Sequence, residues 1–268
     1  MIKGIFFDVD GTLRDFNEYG VRPSVYEAIE KARAAGVKCF VATGRHREEI
    51  REDYLLGDLK FDGYVYLNGC YCTDGDGNVV FTAPVHPSQA EKALELLEAE
   101  PFSLLAMEAD RFYVNEASQA IIDMHKTLGS RTPRVNPDMT DCVKNEIYQL
   151  VIYGDMDVLD RVAAQLPLCA PTRWNEGGAL DLVPVGVDKC TGVTAMMKYF
   201  GFAPEEVAAV GDSFNDMGML KLAGLSVCMG SGRADVKAIA DYVAPHIDDD
   251  GLLKAVEYIL AKGLPDSR

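Results

Sequence analysis

No stretch of this 268-residue chain holds the roughly 18 consecutive apolar residues that a bilayer-spanning helix requires, and the apolar part of the opening MIKGIFFDVD is too short for a signal peptide. The expectation is a soluble, cytoplasmic protein with no membrane contact. Basic residues are scarce as well. The 26 Lys plus Arg stand against 42 Asp plus Glu, a formal charge of -16, so no broad basic face is available for nucleic acid or an anionic membrane. That deficit does not exclude a small phosphorylated ligand, because one lysine, a few backbone N–H groups and a metal ion create a local positive site. The seven cysteines (Cys39, Cys70, Cys72, Cys142, Cys169, Cys190 and Cys228) are odd in number and contain no C-x-x-C, which fits reduced thiols inside a cell rather than a disulfide framework. Cys70 and Cys72 lack a second Cys or His pair at zinc spacing and are read as strand side chains. His46, His86, His125 and His246 share no ligand spacing and receive no chemical role. Nothing signals an obligate protein partner.

What is present is a regular alternation. The length suits one large or two moderate domains, enough to bury roughly three quarters of the unfolded surface. IKGIFFDV is an unbroken apolar run of strand length, as a strand covered on both faces of a parallel sheet requires. RPSVYEAIEKARAAG carries Val25, Ile29 and Ala32 at helical spacing and closes on Gly36; VKCFVATGR is a second buried strand. HREEIREDYLLG predicts a helix, YVYLNG (Tyr64 to Gly69) a third strand, and TDGDGNVVF a hairpin with Asp76 and Gly77 at its tip. Asp74, Asp76 and Asn78 do not form an EF-hand loop, because its sixth position is Val79 instead of glycine.

From about Ala83 the pattern changes. PSQAEKALELLEAE predicts a helix with Ser88 and Glu91 in capping-box spacing, followed by short strands at SLLAMEA and RFYVN. A helix at SQAIIDMHKTLG, a strand at EIYQLVIYG, a helix at DVLDRVAAQL and strands at LCAPTRW and ALDLV complete this block. After Val187 the alternation resumes: helix from Lys189, strand VAAVGD, helix FNDMGMLKLAG, strand LSVCMG, helix ADVKAIAD, a short strand at Tyr242 and Val243, and a last helix from Leu252. The predicted class is α/β: a doubly wound, Rossmann-like parallel-sheet core over residues 1–82 and 184–268, with an α+β insertion over 83–183.

FFDVDGTL closes its apolar run on Asp8 and Asp10, whose mutual repulsion and desolvation call for a cation or a shared proton. In open parallel sheets the ligand crevice lies beyond the carboxyl ends of the strands. Candidates fall at such positions or at a helix start: Asp8 and Asp10, Thr43 in VATGR, Lys189, and Asp212, Asn215 and Asp216 in VGDSFNDMGM. They supply a carboxylate nucleophile, a second carboxylate for proton transfer, oxygen ligands for a hard cation, and a hydroxyl, an amide and a lysine for phosphate oxygens. That inventory is one for phosphoryl transfer. Thr43 alone would read as a cap and Lys189 alone as a surface lysine; their company reverses this. GSG near Ser231 is not a dinucleotide fingerprint, since Asp235 stands where the third glycine belongs. Asp248 to Asp250 reads as a solvated loop, and Trp174 as a core residue, with RWNEGG also a candidate substrate-facing loop.

D-x-D-G-T, then Thr43, Lys189 and G-D-x-x-N-D, in this order, resemble the motifs of the haloacid dehalogenase-like superfamily over essentially the whole chain. The resemblance implies that Asp8 is the nucleophile and Asp10 the general acid/base. It makes Thr43, Gly44, Lys189, Asn215 and the backbone after Val9 phosphate binders. It implies Mg²⁺ held by Asp8, Asp212 and the carbonyl of Asp10, with Asp216 partnering the lysine or a metal-bound water. The interval before Thr43 (residues 11–42) is short and that before Lys189 (residues 44–188) is long, which places the insertion in the second. With TGR, this is similar to the Cof-type phosphatases with a type IIB cap. Ser231, where many relatives have asparagine, and VDKCTG in place of S-K-G are departures. The implied activity is hydrolysis of small phosphorylated metabolites, such as sugar phosphates, through an aspartyl-phosphate. A phosphomutase on the same scaffold and an inactive sugar-phosphate sensor are the alternatives. Candidate substrate contacts are Arg45, Asn68, Arg173, Asn175 and Glu176.

Overall fold

Alternate residues of the first strand face two different helical layers, and that division organises the first part of the fold. β1 (Gly4–Phe7) turns Ile5 and Phe7 toward the helices Pro23–Ala34 and Gly251–Gly263, and Phe6 toward the helices Lys189–Phe200 and Met217–Leu222. β2 (Lys38–Ala42) divides in the same way, Cys39 and Val41 against Phe40 and Ala42. A run buried on both faces therefore needs no polar alternation, which is why it is continuously apolar. The computed structural model describes residues 1–15, 20–174 and 177–263. No helix among them is long and apolar enough to cross a membrane.

The chain continues through β3 (Gly63–Tyr66), β4 (Tyr71–Asp74) and β5 (Val79–Thr82). The middle block supplies β6 (Ser103–Met107), β7 (Phe112–Val114), β8 (Arg134–Val135), β9 (Gln149–Tyr153), β10 (Cys169–Arg173) and β11 (Ala179–Pro184). β12 (Val207–Gly211), β13 (Leu225–Cys228) and β14 (Tyr242–Val243) follow. The first sheet has the order β14-β13-β12-β1-β2-β3-β4-β5 and is parallel from β14 through β3, with β4 and β5 added as an antiparallel hairpin. Gly4 sits between Val207 and Lys38, so the first strand occupies the middle of the sheet.

The second sheet, β10-β11-β9-β6-β7-β8, is antiparallel except between β7 and β8. Leu104, Ala106, Leu150, Ile152, Leu180 and Leu182 pack against the helices Pro87–Leu97 and Met156–Ala163. The other face turns Leu105, Met107, Val151, Tyr153 and Ala179 into the core that continues to the first sheet. Gln149 and Asp181 share that inward face by the period of two.

Several local expectations change. The helix Pro87–Leu97 is capped by the His86 ring accepting from Ser88 N, not by a Ser88–Glu91 capping box, because Pro87 fits the first helical turn and shifts the cap back. The helix expected over HREEIREDYLLG covers only Arg47–Glu52 and ends before Tyr54, whose φ is 55°. YVYLNG is strand only to Tyr66; Leu67–Gly69 is a 3₁₀ turn with Asn68 left-handed at φ 52°. The pair Arg134–Val135 and the helix Asp141–Lys144 were not foreseen, being too short to show a period. Asp74 accepts from Asp76 N and Asn78 N, closing the hairpin loop by itself.

Candidate active site

Three strand ends and one helix start converge. Asp8 follows β1, Thr43 follows β2 and Asp212 follows β12, while Lys189 opens its helix behind the N-cap Asp188, whose Oδ1 accepts from Thr191 N at 2.8 Å. Lys189 is only 1% exposed, and its Nζ donates to Asp8 Oδ1 at 2.5 Å and Asp216 Oδ1 at 2.7 Å. The helix can press close enough to bring it there because residue 192 is glycine: a Cβ would overlap Val65 and lie 3.0 Å from Gly69 Cα. Asp216 also accepts from Asp212 N (3.0 Å) and Ser213 N (2.9 Å), so its oxygens are committed to lysine and loop.

Asp8, Asp212 and Asp216 bring carboxylate oxygens within 4.8 Å of one another around this single lysine. Burial and then Asp216 push the Asp8 carboxyl up to about 7; burial, Asp8 and Asp216 push Asp212 to about 9. Burial opposes the Lys189 ammonium, but Asp216 and Asp8 outweigh it and raise its pKa. Asp212 Oδ1 is buried and has no hydrogen-bond partner. A buried carboxylate oxygen without a donor, beside a second raised carboxylate, fits a hard divalent cation bound by oxygen.

Asp10 has a different environment. Arg45 grips both its oxygens, Nε to Oδ2 at 2.7 Å and Nη2 to Oδ1 at 3.0 Å, and Arg14 Nη1 adds a bond to Oδ1 at 3.0 Å. Burial works against the charge, but Arg45 and then Arg14 hold Asp10 below the ordinary carboxylate range. Thr43 Oγ1 accepts from Arg45 N at 3.0 Å. Gly44 lies against Asn68, whose amide would stand 3.1 Å from a Cβ there. Val9 is wholly buried, leaving only its backbone for the loop. Asn215 Nδ2 donates to Asn68 Oδ1 at 3.1 Å, and Asn68 Nδ2 donates to Asp181 Oδ2 at 3.0 Å and Gln149 Oε1 at 3.2 Å. Asn68 thus joins the first sheet's loops to the second sheet's inner face.

These groups open on a cavity of about 680 Å³, of the size of small-molecule sites. Asp8, Asp10, Thr43 and Lys189 line one side; His125, Gln149, Trp174 and Asp181 line the other. Trp174 Nε1 donates to Asp181 Oδ1 at 2.7 Å, and burial lifts Asp181 to about 6. Trp174 is therefore part of the cavity wall. Arg173 also borders the cavity but pairs with the exposed Asp160 at 2.7 Å. Asn175 and Glu176 lie outside the described residues. Sequence reasoning missed Arg14, which bonds Asp10, and the cavity-lining Glu49, His125, Gln149 and Asp181, of which Glu49 accepts from Arg45 Nη1 at 3.2 Å. For Asp181 a signal existed: a lone carboxylate within the apolar strand ALDLV.

The profile of the haloacid dehalogenase-like hydrolase family matches residues 5–256. A Streptococcus pyogenes protein named as a bifunctional phosphatase/peptidyl-prolyl cis-trans isomerase is 29% identical over 263 residues, 96% of this chain and 53% of that protein, so the chain spans about half its length. The 5-amino-6-(5-phospho-D-ribitylamino)uracil phosphatase YcsE of Bacillus subtilis is 27% identical, covering 96% of this chain and 95% of its own. The solved structure of the subclass IIB sugar phosphatase BT4131 superposes with a TM-score of 0.83 at 29% identity, covering 96% of this chain and 98% of that one. With its motifs gathered at one cavity and this match along nearly all its length, the chain belongs to the haloacid dehalogenase-like hydrolase family, as a phosphomonoester hydrolase of the Cof type.

Proposed function

We propose that this protein is a Mg²⁺-dependent phosphatase that hydrolyses small phosphorylated metabolites, sugar phosphates or similar monoesters, through an aspartyl-phosphate on Asp8. The observation that carries the reading is the buried Asp8–Lys189–Asp216 arrangement, beside the unpartnered Asp212 oxygen and open to a cavity of about 680 Å³. Lys189 engages one Asp8 oxygen, and no described residue bonds the other, which attacks phosphorus opposite the departing alcohol oxygen. Asp10 takes up a proton from solvent, against the pull of Arg45 and Arg14, and delivers it to that oxygen. Its ionised form, which Arg45 and Arg14 favour, then takes a proton from the water that attacks the aspartyl-phosphate. Thr43, the Gly44 backbone, Asn215 and Lys189 supply donors for the phosphate oxygens. Asp8 and Asp212 would hold Mg²⁺, which neutralises charge between nucleophile and phosphate. Residues 1–82 and 184–268 carry this chemistry in our reading, and residues 83–183, with Gln149, Trp174 and Asp181 on the cavity wall, select the substrate.

Two variants test it. Asp8→Asn abolishes phosphate release from every ester, because an amide is not a competent nucleophile. Asp10→Asn slows the first step on an alkyl phosphate by about 10²- to 10⁴-fold, but far less with p-nitrophenyl phosphate, whose leaving group departs without a proton. That variant gives a nitrophenol burst and labelled phosphate trapped on Asp8. Equal loss on both esters with no trapped phosphate refutes the role of Asp10. Full activity after exhaustive chelation refutes the metal requirement, and transfer to a second hydroxyl instead of release of inorganic phosphate identifies a mutase.

A further inference from the structure

We infer that Arg14 is a positioning residue for Asp10, and that it aligns the Asp10 carboxylate through the same contact that seats the middle block on the first sheet. The inference rests on the assignment of Asp10 as acid/base. Arg14 is 3% exposed and belongs to the same loop: Arg14 N donates to Val9 O at 2.9 Å and Gly11 N to Arg14 O at 2.8 Å, which folds the side chain back over Asp10. Its Nη1 donates to two acceptors, Asp10 Oδ1 at 3.0 Å and the backbone carbonyl of Leu128 at 3.1 Å. Arg45 Nη2 donates to the same two atoms, at 3.0 and 2.8 Å. Two guanidinium groups thus share one carboxylate oxygen and one carbonyl oxygen, 114 residues from Arg14 in sequence.

The carbonyl is suited to this task. Leu128 is the C-cap of the helix Gln119–Thr127, where terminal carbonyls lack intrahelical partners and carry the negative end of the helix dipole. Gly129 follows at φ 66°, and a Cβ there would stand 2.6 Å from Arg14 Nη2. A glycine lets the chain turn away and leaves room for the guanidinium. Between Arg14 and Arg45 the repulsion of like charges is offset by Asp10 on one side and the helix end on the other. Lifting the helix end removes one of the two shared acceptors, so the orientation of Asp10 depends on the middle block being in place.

The test compares Arg14→Met and Arg14→Lys with the parent protein in Mg²⁺, with enzyme in excess over a hexose 6-phosphate or p-nitrophenyl phosphate. Release of the alcohol in a single turnover is measured as a function of concentration. Arg14→Met is expected to slow release from the hexose phosphate about 10- to 100-fold, the effect of a misplaced group, with little change in half-saturation. Release of nitrophenol, which needs no proton, should fall less than about threefold, and Arg14→Lys should recover part of the loss, since it restores a charged donor. Equal losses on the two esters, a change confined to half-saturation, or no loss at all overturns the inference. Should Arg14→Met fail to fold, Gly129→Ala, which intrudes on Arg14 without removing it, is judged by the same comparison. A parent protein that releases phosphate from neither ester overturns the phosphatase reading itself; an active parent with an equally active variant overturns only the role of Arg14.

Discussion

Asp212→Asn, made in protein stripped of divalent cations, isolates the charge balance of the site from turnover. Three carboxylates approach within 4.8 Å around Lys189, and burial with Asp8 and Asp216 raises Asp212 from 3.8 to about 9. An unfolded chain at pH 7 ionises this group freely, whereas the folded one holds its proton. The interval from 3.8 to 7 at about 1.36 kcal/mol per pH unit gives about 4 kcal/mol of lost stability, and about 2 after allowing for relaxation and coupling to Asp8. Asparagine keeps the shape and loses the penalty. In chelator at pH 7 the variant should therefore melt about 4–8 °C above the parent. Because the folded pKa is raised, the parent loses nothing to this group below about pH 4, and its deficit grows as the pH climbs toward 9. The gap between the two melting temperatures should widen from pH 5 to pH 8. Adding Mg²⁺ should raise the parent far more than the variant, since a ligand of the folded state stabilises by mass action. Calorimetric melts across that pH range, with and without Mg²⁺, make the comparison. A variant that melts below the parent in chelator at pH 7, or a gap that does not change with pH, would refute the reasoning.

Gly192→Ala forces a Cβ into Val65 and toward Gly69, and should cost about 1–3 kcal/mol in urea denaturation while lowering turnover through displacement of Lys189. Wild-type stability with wild-type turnover would show that the helix shifts freely. Trp174 is the chain's single tryptophan and lines the cavity, so in Asp8→Asn protein its emission should change saturably as a phosphate ester is added. Binding detected by calorimetry without any change in emission would place the ester away from this wall.

The first sheet was readable because its central strands are buried on both faces, whereas helices such as Arg47–Glu52 and Ala234–Lys237 are shorter than their patterns suggest. Asp8, Thr43 and Asp212 were readable because each ends an apolar run, and the position beyond a strand end is fixed by the fold class. What lay hidden depends on contacts across the chain. Arg14 is one basic residue among many until Leu128 comes to it, and nothing local to either marks the meeting. Asn68 reads as a strand residue because its left-handed backbone is imposed by the turn that brings it between Asn215 and Asp181. His86 won the cap from Ser88 through Pro87, a competition between two good local signals that spacing alone does not decide.

The central position of β1 has a consequence for synthesis. Its four residues, Gly4–Phe7, are made long before one of their two neighbours, which begins only at Val207. That is 200 residues beyond Phe7 (207 − 7), about 10–40 s at ribosomal rates of roughly 5–20 residues per second. The six strands of the second sheet are complete by Pro184 and can close among themselves in that interval, while one edge of β1 stays open. An unpaired apolar edge is a template for wrong partners. Chains halted between Pro184 and Val207 should therefore aggregate more readily than chains halted after Gly211, even though they already carry Asp8, Asp10 and Thr43.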